Sequence, residues 1–277
     1  METKEWNWKT RDNLSMYSRS WSPTGQMKAV VCLIHGLGEH TGRYEHVGEA
    51  FSEAGYALVG CDLRGHGNSA GPRGHIPSYQ ALMDDISAFI EQVKQKYPEK
   101  PLFLYGHSLG GNLVLNYALR IKPKIQGVIS SSAWLELAFQ PPASKVNLAK
   151  LMVKILPSFS QPNGLEIAAL AREPSVIEAY KNDPLVHDKI SASLFLNIYE
   201  AGLWALEHAS EFPLPLLMIH GTADRLSSVE GTRKFARAAG KKVKAVYLEG
   251  WYHETHNEAE KAEVFKYMTT WMDEQLG

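Results

Sequence analysis

Several classes of protein are excluded by what this sequence lacks. Its 277 residues carry 29 basic and 30 acidic side chains, a net charge of −1, so the basic excess that favours nucleic acids is missing. No run approaches the ~18 apolar residues of a membrane span, and the polar first eight residues predict no signal peptide. Glycine and proline, with 22 and 14 residues, have ordinary frequencies, which excludes collagen-like and low-complexity chains.

Cysteine is scarce. The only two, Cys32 and Cys61, both lie in apolar stretches of strand length. We interpret them as reduced thiols packed inside the protein, which suits an intracellular compartment. The sequence therefore predicts a cytoplasmic protein and leaves peripheral membrane association open.

Motifs for metals and nucleotide cofactors are also missing. The stretch His253-Glu254-Thr255-His256 is one residue shorter than the zinc-binding pattern H-E-x-x-H. Gly36 and Gly38 begin a dinucleotide fingerprint, but Thr41 occupies the place of its third glycine. We predict neither a metal nor a cofactor.

What is present is an alternation of short apolar runs and amphipathic stretches. Residues 4–22 alternate polar and apolar side chains and predict an antiparallel hairpin. Strands that alternate with helices imply a mostly parallel sheet covered on both faces. The predicted strands are 28–35, 56–61, 101–106, 125–130, 214–220 and 243–248, and the predicted helices are 43–54, 79–97, 109–121, 228–239 and 257–275.

The alternation stops between residues 133 and 210, a range that we call the lid segment. It is rich in proline and has helical patterns, so we predict a helical lid inserted between a core of 1–132 and 211–277. Its clearest apolar stripe, residues 148–159, either lines a tunnel to the active site or contacts a membrane surface. The second alternative would use three nearby lysines, Lys145, Lys150 and Lys154.

The strongest chemical signal is a G-x-S-x-G motif between an apolar strand and a helix. Its residues are Gly106-His107-Ser108-Leu109-Gly110. This context is typical of a nucleophilic serine held at the tip of a tight turn. We predict Ser108 as the nucleophile.

A nucleophilic serine needs a base and a carboxylate that orients it. Asp224 and His253 follow two later strands in the order Ser, Asp, His. Because the carboxyl ends of parallel strands share one edge of a sheet, we predict that all three meet there. The backbone N–H groups of Leu37 and Leu109 are the predicted donors to a developing oxyanion.

Together these motifs resemble the α/β-hydrolase fold, and within it the monoacylglycerol lipase and lysophospholipase branch, the serine-aminopeptidase-like lipases. The stretch H-G-x-G-E-H-x-G-R-Y at 35–44 and the lid motif N-D-P-L at 182–185 are the most specific matches. The resemblance implies a triad of Ser108, Asp224 and His253. It also implies that Glu39, Arg43 and His256 contact the glycerol end of a substrate.

The resemblance further implies a small lipid ester as substrate, most specifically monoacylglycerol, with a lysophospholipid or another carboxylic ester as the alternative. A serine peptidase, a thioesterase or an acyltransferase could use the same triad. A peptidase would need acidic lid residues around a substrate ammonium group; the candidates are Glu136, Glu166, Glu173 and Glu178. Acyl-chain length and oligomeric state are left open.

Overall fold

The computed structural model describes all residues from Met1 to Gly277, and an eight-stranded sheet lies at its centre. The first two strands pair antiparallel with their neighbours, whereas the remaining pairs are parallel. In spatial order the strands are β1 (Glu2–Lys9), β2 (Ser15–Ser22), β4 (Tyr56–Cys61), β3 (Ala29–Ile34), β5 (Leu102–His107), β6 (Gly127–Ser131), β9 (Leu216–Gly221) and β10 (Val243–Leu248).

Helices cover both faces of this sheet and give the protein two apolar cores. The helices of the main body are α1 (Glu45–Glu53), α2 (Tyr79–Lys96), α3 (Leu109–Ile121), α7 (Val229–Ala239) and α8 (Lys261–Leu276). Phe51 and Met268 belong to the core beneath α1 and α8, whereas Phe89 and Leu113 belong to the opposite core. Strands buried on both faces explain the continuous apolar runs in the sequence, and the predicted fold class is confirmed.

The lid segment adds no strand to the main sheet. It contains α4 (Ala143–Ile155), α5 (Pro174–Asn182) and α6 (Ala192–Glu207), together with a small antiparallel pair, β7 (Ser160–Pro162) and β8 (Lys189–Ser191). The sequence did not predict the small pair, because three-residue strands are too short to show an alternation. The division into core and lid at residues 133 and 210 stays a prediction.

The last lid helix is joined firmly to the main body. Asn112 and Asn116 of α3 each donate a side-chain hydrogen bond of 3.1 Å to backbone carbonyls of α6, at Ile198 and Ala201. Ile198 is also part of the apolar core. The helix α6 therefore shares the packing of the sheet domain.

The first lid helix differs, because α4 has no buried residue. It ends at Ile155, two residues before Pro157, since a residue that precedes proline avoids the helical conformation. It also begins earlier than the predicted stripe of 148–159. No helix of the protein is both long enough and apolar enough to cross a membrane.

Candidate active site

Ser108 occupies a strained turn between β5 and α3. Its φ of 54° and ψ of −112° are rare for a residue with a side chain. The glycines around it are required by close backbone contacts. A Cβ on Gly110 would lie 1.9 Å from the Ile34 carbonyl oxygen, and one on Gly106 would lie 2.2 Å from the Gly110 carbonyl oxygen. The motif thus lets strand, turn and helix approach each other closely enough to project the serine.

The backbone of Ser108 is held by its neighbours on both sides. Its N–H donates to the Ser131 carbonyl at 2.9 Å, and its carbonyl accepts from the N–H groups of Asn112 and Trp134, both at 3.0 Å. Ser131 ends β6, the strand next to β5. The turn is therefore fixed between α3 and the neighbouring strand.

Asp224 and His253 lie in the loops after β9 and β10, and the structure brings them together. His253 Nδ1 is 2.7 Å from Asp224 Oδ2. An ionised carboxylate only accepts hydrogen bonds, so Nδ1 carries the proton and Nε2 is left as the basic nitrogen. Both His253 and Ser108 line one cavity.

The surroundings of Asp224 and His253 shift the pKa values of these two groups in opposite directions. Burial alone would raise the pKa of Asp224, but the charge and hydrogen bond of His253, together with the hydrogen bond from His220, hold that pKa well below its ordinary value. Burial alone would lower the pKa of His253, but the charge of Asp224 and the hydrogen bond to it raise it above the ordinary value. Asp224 thus stays ionised and makes His253 a stronger base.

The cavity has a volume of about 710 Å³, and most of its wall is apolar. Ser108, His253 and Leu37 are among its lining residues, and the lid segment supplies most of the others. The apolar side chains contributed by the lid segment include Leu137, Phe139, Leu148, Met152, Phe159 and Phe195. Such a cavity can receive a hydrocarbon chain and bring an adjoining carbonyl group to Ser108.

The two predicted oxyanion donors lie on adjacent elements. Leu109 is the first residue of α3, and the first N–H groups of a helix have no partner inside the helix. Leu37 lies in the loop after β3, which pairs with β5. The helix dipole adds positive potential at the Leu109 N–H.

The acidic lid residues do not form a pocket for an ammonium group. Of the four candidates only Glu166 lines the cavity, and it is paired with Arg225 at 2.9 Å. Glu136 is paired with Lys234 instead, also at 2.9 Å. A substrate ammonium would therefore meet a neutralised wall, which weighs against the peptidase alternative.

Comparison with known proteins agrees with this geometry. Residues 25–260 match the family model described as serine aminopeptidase, S33. The chain belongs to this family. The monoacylglycerol lipase of Mycolicibacterium smegmatis is 33% identical over 258 residues, which cover 92% of each chain. The crystal structure of the monoacylglycerol lipase of Paleococcus ferrophilus superimposes with a TM-score of 0.85 at 33% identity and covers 99% of this chain and 100% of that one.

A longer relative matches equally well. An uncharacterized abhydrolase domain-containing protein of Dictyostelium discoideum is 34% identical over 270 residues, which cover 96% of this chain but 28% of that protein. The chain thus spans about a quarter of this relative and nearly the whole of the two lipases. The resemblance inferred from the motifs and the α/β-hydrolase fold are both confirmed.

Two of the residues expected to contact substrate lie elsewhere in this member of the family. Arg43 and Glu39 do not line the cavity. The Arg43 guanidinium contacts Glu39 Oε2 at 2.7 Å and both carboxylate oxygens of Glu254, at 2.6 and 2.7 Å. Glu39 Oε1 in turn accepts from the Gly36 N–H at 2.5 Å and from the Tyr44 hydroxyl at 2.8 Å. Their polar atoms are already engaged within the protein, so direct contact with substrate is not what this geometry favours.

His256 is likewise buried away from the cavity. Its ring stacks on Tyr44 at 4.7 Å between centroids and meets the ring of His107 edge-on at 4.7 Å. Burial lowers the pKa of His256 to about 3, so the ring is neutral. It belongs to the aromatic packing below the site rather than to the cavity wall.

Sequence reasoning missed several residues that hold the site together. Ser132 donates to the His253 carbonyl at 2.7 Å, and the Ser227 hydroxyl lies 2.8 Å from two acceptors, Asp224 Oδ2 and the Ser132 carbonyl, which share its one proton. Ser132 follows β6 directly, so the polar run Ser130-Ser131-Ser132 at the end of a strand was the signal available. His220 and Glu254 also contact residues of the site. In the sequence their only signal is their position, since His220 precedes Gly221 and Glu254 follows His253.

Proposed function

We propose that this protein is a serine hydrolase that cleaves carboxylic esters of lipids, with monoacylglycerol as substrate and a fatty acid and glycerol as products. The observation that carries the proposal is that Ser108 and His253 line the same, mostly apolar cavity of about 710 Å³. The matched lipases, which act on monoacylglycerol by name, support the same substrate.

The reaction is a two-step acyl transfer. His253 Nε2 takes the proton of the Ser108 hydroxyl, whose oxygen attacks the ester carbonyl, while Asp224 orients and stabilises the imidazolium. The N–H groups of Leu37 and Leu109 stabilise the oxyanion. The alcohol leaves with the proton from His253, and water then attacks the acyl-enzyme to regenerate Ser108.

A hydrolysis panel on the purified protein tests the substrate. We expect the highest kcat/KM for monoacylglycerols, because the apolar wall can receive an acyl chain and the matched lipases act on monoacylglycerol by name. The panel compares monoacylglycerols of short to long chain, a triacylglycerol, a lysophospholipid and an aminoacyl amide, with Ser108→Ala as the blank.

Two results of this panel would contradict the proposal. Faster cleavage of lysophospholipid would keep the chemistry but change the headgroup, and faster cleavage of aminoacyl amides would make the protein a peptidase. Adding excess glycerol or another alcohol and measuring ester formation separates hydrolysis from acyl transfer.

We further propose that α4 places the cavity mouth against a membrane surface, where lipid esters are found. Three apolar side chains of this helix, Leu148, Leu151 and Ile155, are more than half exposed, and Ile155 reaches 67%. Exposed apolar groups of this size on a helix that also carries Lys145, Lys150 and Lys154 are typical of interfacial binding. Because Leu148 also lines the cavity, the two alternatives for the apolar stripe are compatible.

Charge reversal of the three lysines tests this contact. Replacing Lys145, Lys150 and Lys154 with glutamate should weaken co-sedimentation with vesicles that contain phosphatidylglycerol by on the order of 100-fold, since each lysine near an anionic surface contributes about 1 kcal/mol. Hydrolysis of a water-soluble short-chain ester should stay unchanged when only Lys150 and Lys154 are replaced, because Lys145, unlike these two, lines the cavity.

A matched triple variant controls for net charge. Lys241, Lys242 and Lys266 are exposed and lie outside the lid segment, so their replacement by glutamate should leave vesicle binding nearly intact. Equal losses in the two triple variants would mean that only overall charge matters and would exclude a contact through α4.

A further inference from the structure

A second histidine contacts the carboxylate of Asp224. His220 lies in β9 and is fully buried. Its Nε2 is 3.1 Å from Asp224 Oδ2, the same oxygen that His253 Nδ1 contacts at 2.7 Å. The reaction described above makes no use of this ring.

The surroundings of His220 fix which of its nitrogens carries the proton. The ionised carboxylate of Asp224 only accepts, so Nε2 must donate to it. On the other side of the ring, Nδ1 lies 2.7 Å from the hydroxyl of Thr232, a buried residue of α7. The hydroxyl can donate to Nδ1, and both nitrogens of a neutral ring are then satisfied.

The other donors to Asp224 do not replace this one. Oδ1 accepts from the backbone N–H groups of Leu226 and Ser227 at 2.8 and 3.1 Å. On Oδ2 the hydroxyl of Ser227 is shared, because its single proton also faces the Ser132 carbonyl at 2.8 Å. The competing contacts of the His220 N–H are longer, 3.3 Å to the Ser227 carbonyl and 3.4 Å to the Ser227 hydroxyl.

We propose that His220 is a positioning residue for the reaction, which holds the Asp224 carboxylate against His253 and takes a share of its negative charge. The inference rests on the proposed function, because it takes His253 as the base. His220 does not line the cavity, so its effect reaches the substrate only through Asp224.

Loss of the His220 donor should shift the pKa of His253 in a defined direction. More of the negative charge on Asp224 is then available to His253, so protonated His253 becomes more stable and its pKa rises. The reaction needs neutral His253, so the acid limb of kcat/KM moves to higher pH. The other titratable or charged groups around His253 are Glu39, Glu254, His107 and His256, none of which a change at position 220 removes.

Three variants test the proposal by pH profiles on a water-soluble ester, with active sites counted by a fluorophosphonate that labels Ser108. His220→Leu should lower kcat per labelled site by about 10- to 100-fold with KM unchanged, and should move the acid limb up by about 0.5 to 1 pH unit. His220→Gln keeps an N–H donor and should stay near the wild type. Thr232→Val removes the partner of Nδ1. It should also lower kcat and move the acid limb to higher pH, each by less than His220→Leu does.

The outcomes separate this proposal from the proposed function. A wild-type kcat and acid limb in His220→Leu would overturn it, as would equal losses in the Leu and Gln variants without a shift of the acid limb. If His220→Leu does not fold, an unshifted acid limb in Thr232→Val overturns it. A wild-type protein that fluorophosphonate does not label, or a Ser108→Ala variant that retains turnover, contradicts the proposed function itself.

Discussion

Replacing Ser108 with alanine should lower ester turnover by about 10⁶-fold, the loss that accompanies removal of a nucleophilic serine. Ser191 and Ser227 also line the cavity, but only Ser108 lies in the strained turn at the N-terminus of α3, next to the N–H of Leu109. The remaining activity should stay about 10³- to 10⁴-fold above the uncatalysed rate, through the N–H groups of Leu37 and Leu109 and through substrate binding.

The experiment compares kcat and KM for a monoacylglycerol with the melting temperature of each variant. Alanine retains the Cβ and the backbone hydrogen bonds of residue 108, so the melting temperature should hardly change. Ser87→Ala is the matched control, since the Ser87 hydroxyl contacts only Met83 and Tyr117 within the main body. Turnover of Ser108→Ala above a hundredth of the wild-type value would show that another group attacks the ester.

The sequence predicts the sheet, and the loops that would form the site, from signals that are contiguous. The strands that precede Ser108 and Asp224 are buried, largely apolar runs of 6 residues, and the strand before His253 is apolar except for Lys244, so each can be recognised without its neighbours. In open parallel sheets, functional residues lie at the carboxyl ends of the strands, so the loops with Ser108, Asp224 and His253 are predicted to lie close together. No long-range contact has to be known for this step.

The supporting residues depend on contacts that sequence distance hides. Arg43 and Glu254 are separated by 211 positions, and a charged residue in a motif loop can equally face the substrate or a buried partner. The resemblance predicted that Arg43 contacts the substrate, whereas in the structure Arg43 contacts the buried carboxylates of Glu39 and Glu254. His220 and Thr232 likewise meet only because α7 packs against β9, and the sequence does not specify which face of α7 is turned to the strand at a given residue.

Replacing Arg43 with methionine should lower the free energy of unfolding by about 3 to 5 kcal/mol, because it leaves the carboxylates of Glu39 and Glu254 buried without their cation. Both carboxylates are almost fully inaccessible to solvent, and Arg43 also lies over the ring of Tyr180 at 4.8 Å. For a chain of this size the melting temperature should fall by about 10 °C. Turnover should fall too, since Glu39 anchors the Gly36 N–H beside Leu37.

The pH dependence distinguishes lost charge from lost packing. Burial alone would raise the pKa of Glu254, but the charge and hydrogen bonds of Arg43 lower it to about 2 from an ordinary 4.5. In the wild type the ion pair of Glu254 with Arg43 therefore stabilises the fold. This stabilisation is fully present above about pH 4.5 and is lost as the pH falls towards 2. Without Arg43, burial instead raises the pKa of the Glu254 carboxyl. Lowering the pH therefore protonates this carboxyl and reduces the loss of stability in the variant.

The difference in melting temperature between the wild type and Arg43→Met should therefore narrow between about pH 7 and about pH 4. Two further variants serve as controls. Arg43→Lys keeps the charge but loses the bidentate contact with Glu254, so it should lose less stability than Arg43→Met. The double variant Arg43→Met with Glu254→Gln removes one of the two buried charges and should recover part of the loss. A difference that stays constant with pH, with no recovery in the double variant, would mean that Arg43 acts through its packing on Tyr180 rather than through its charge.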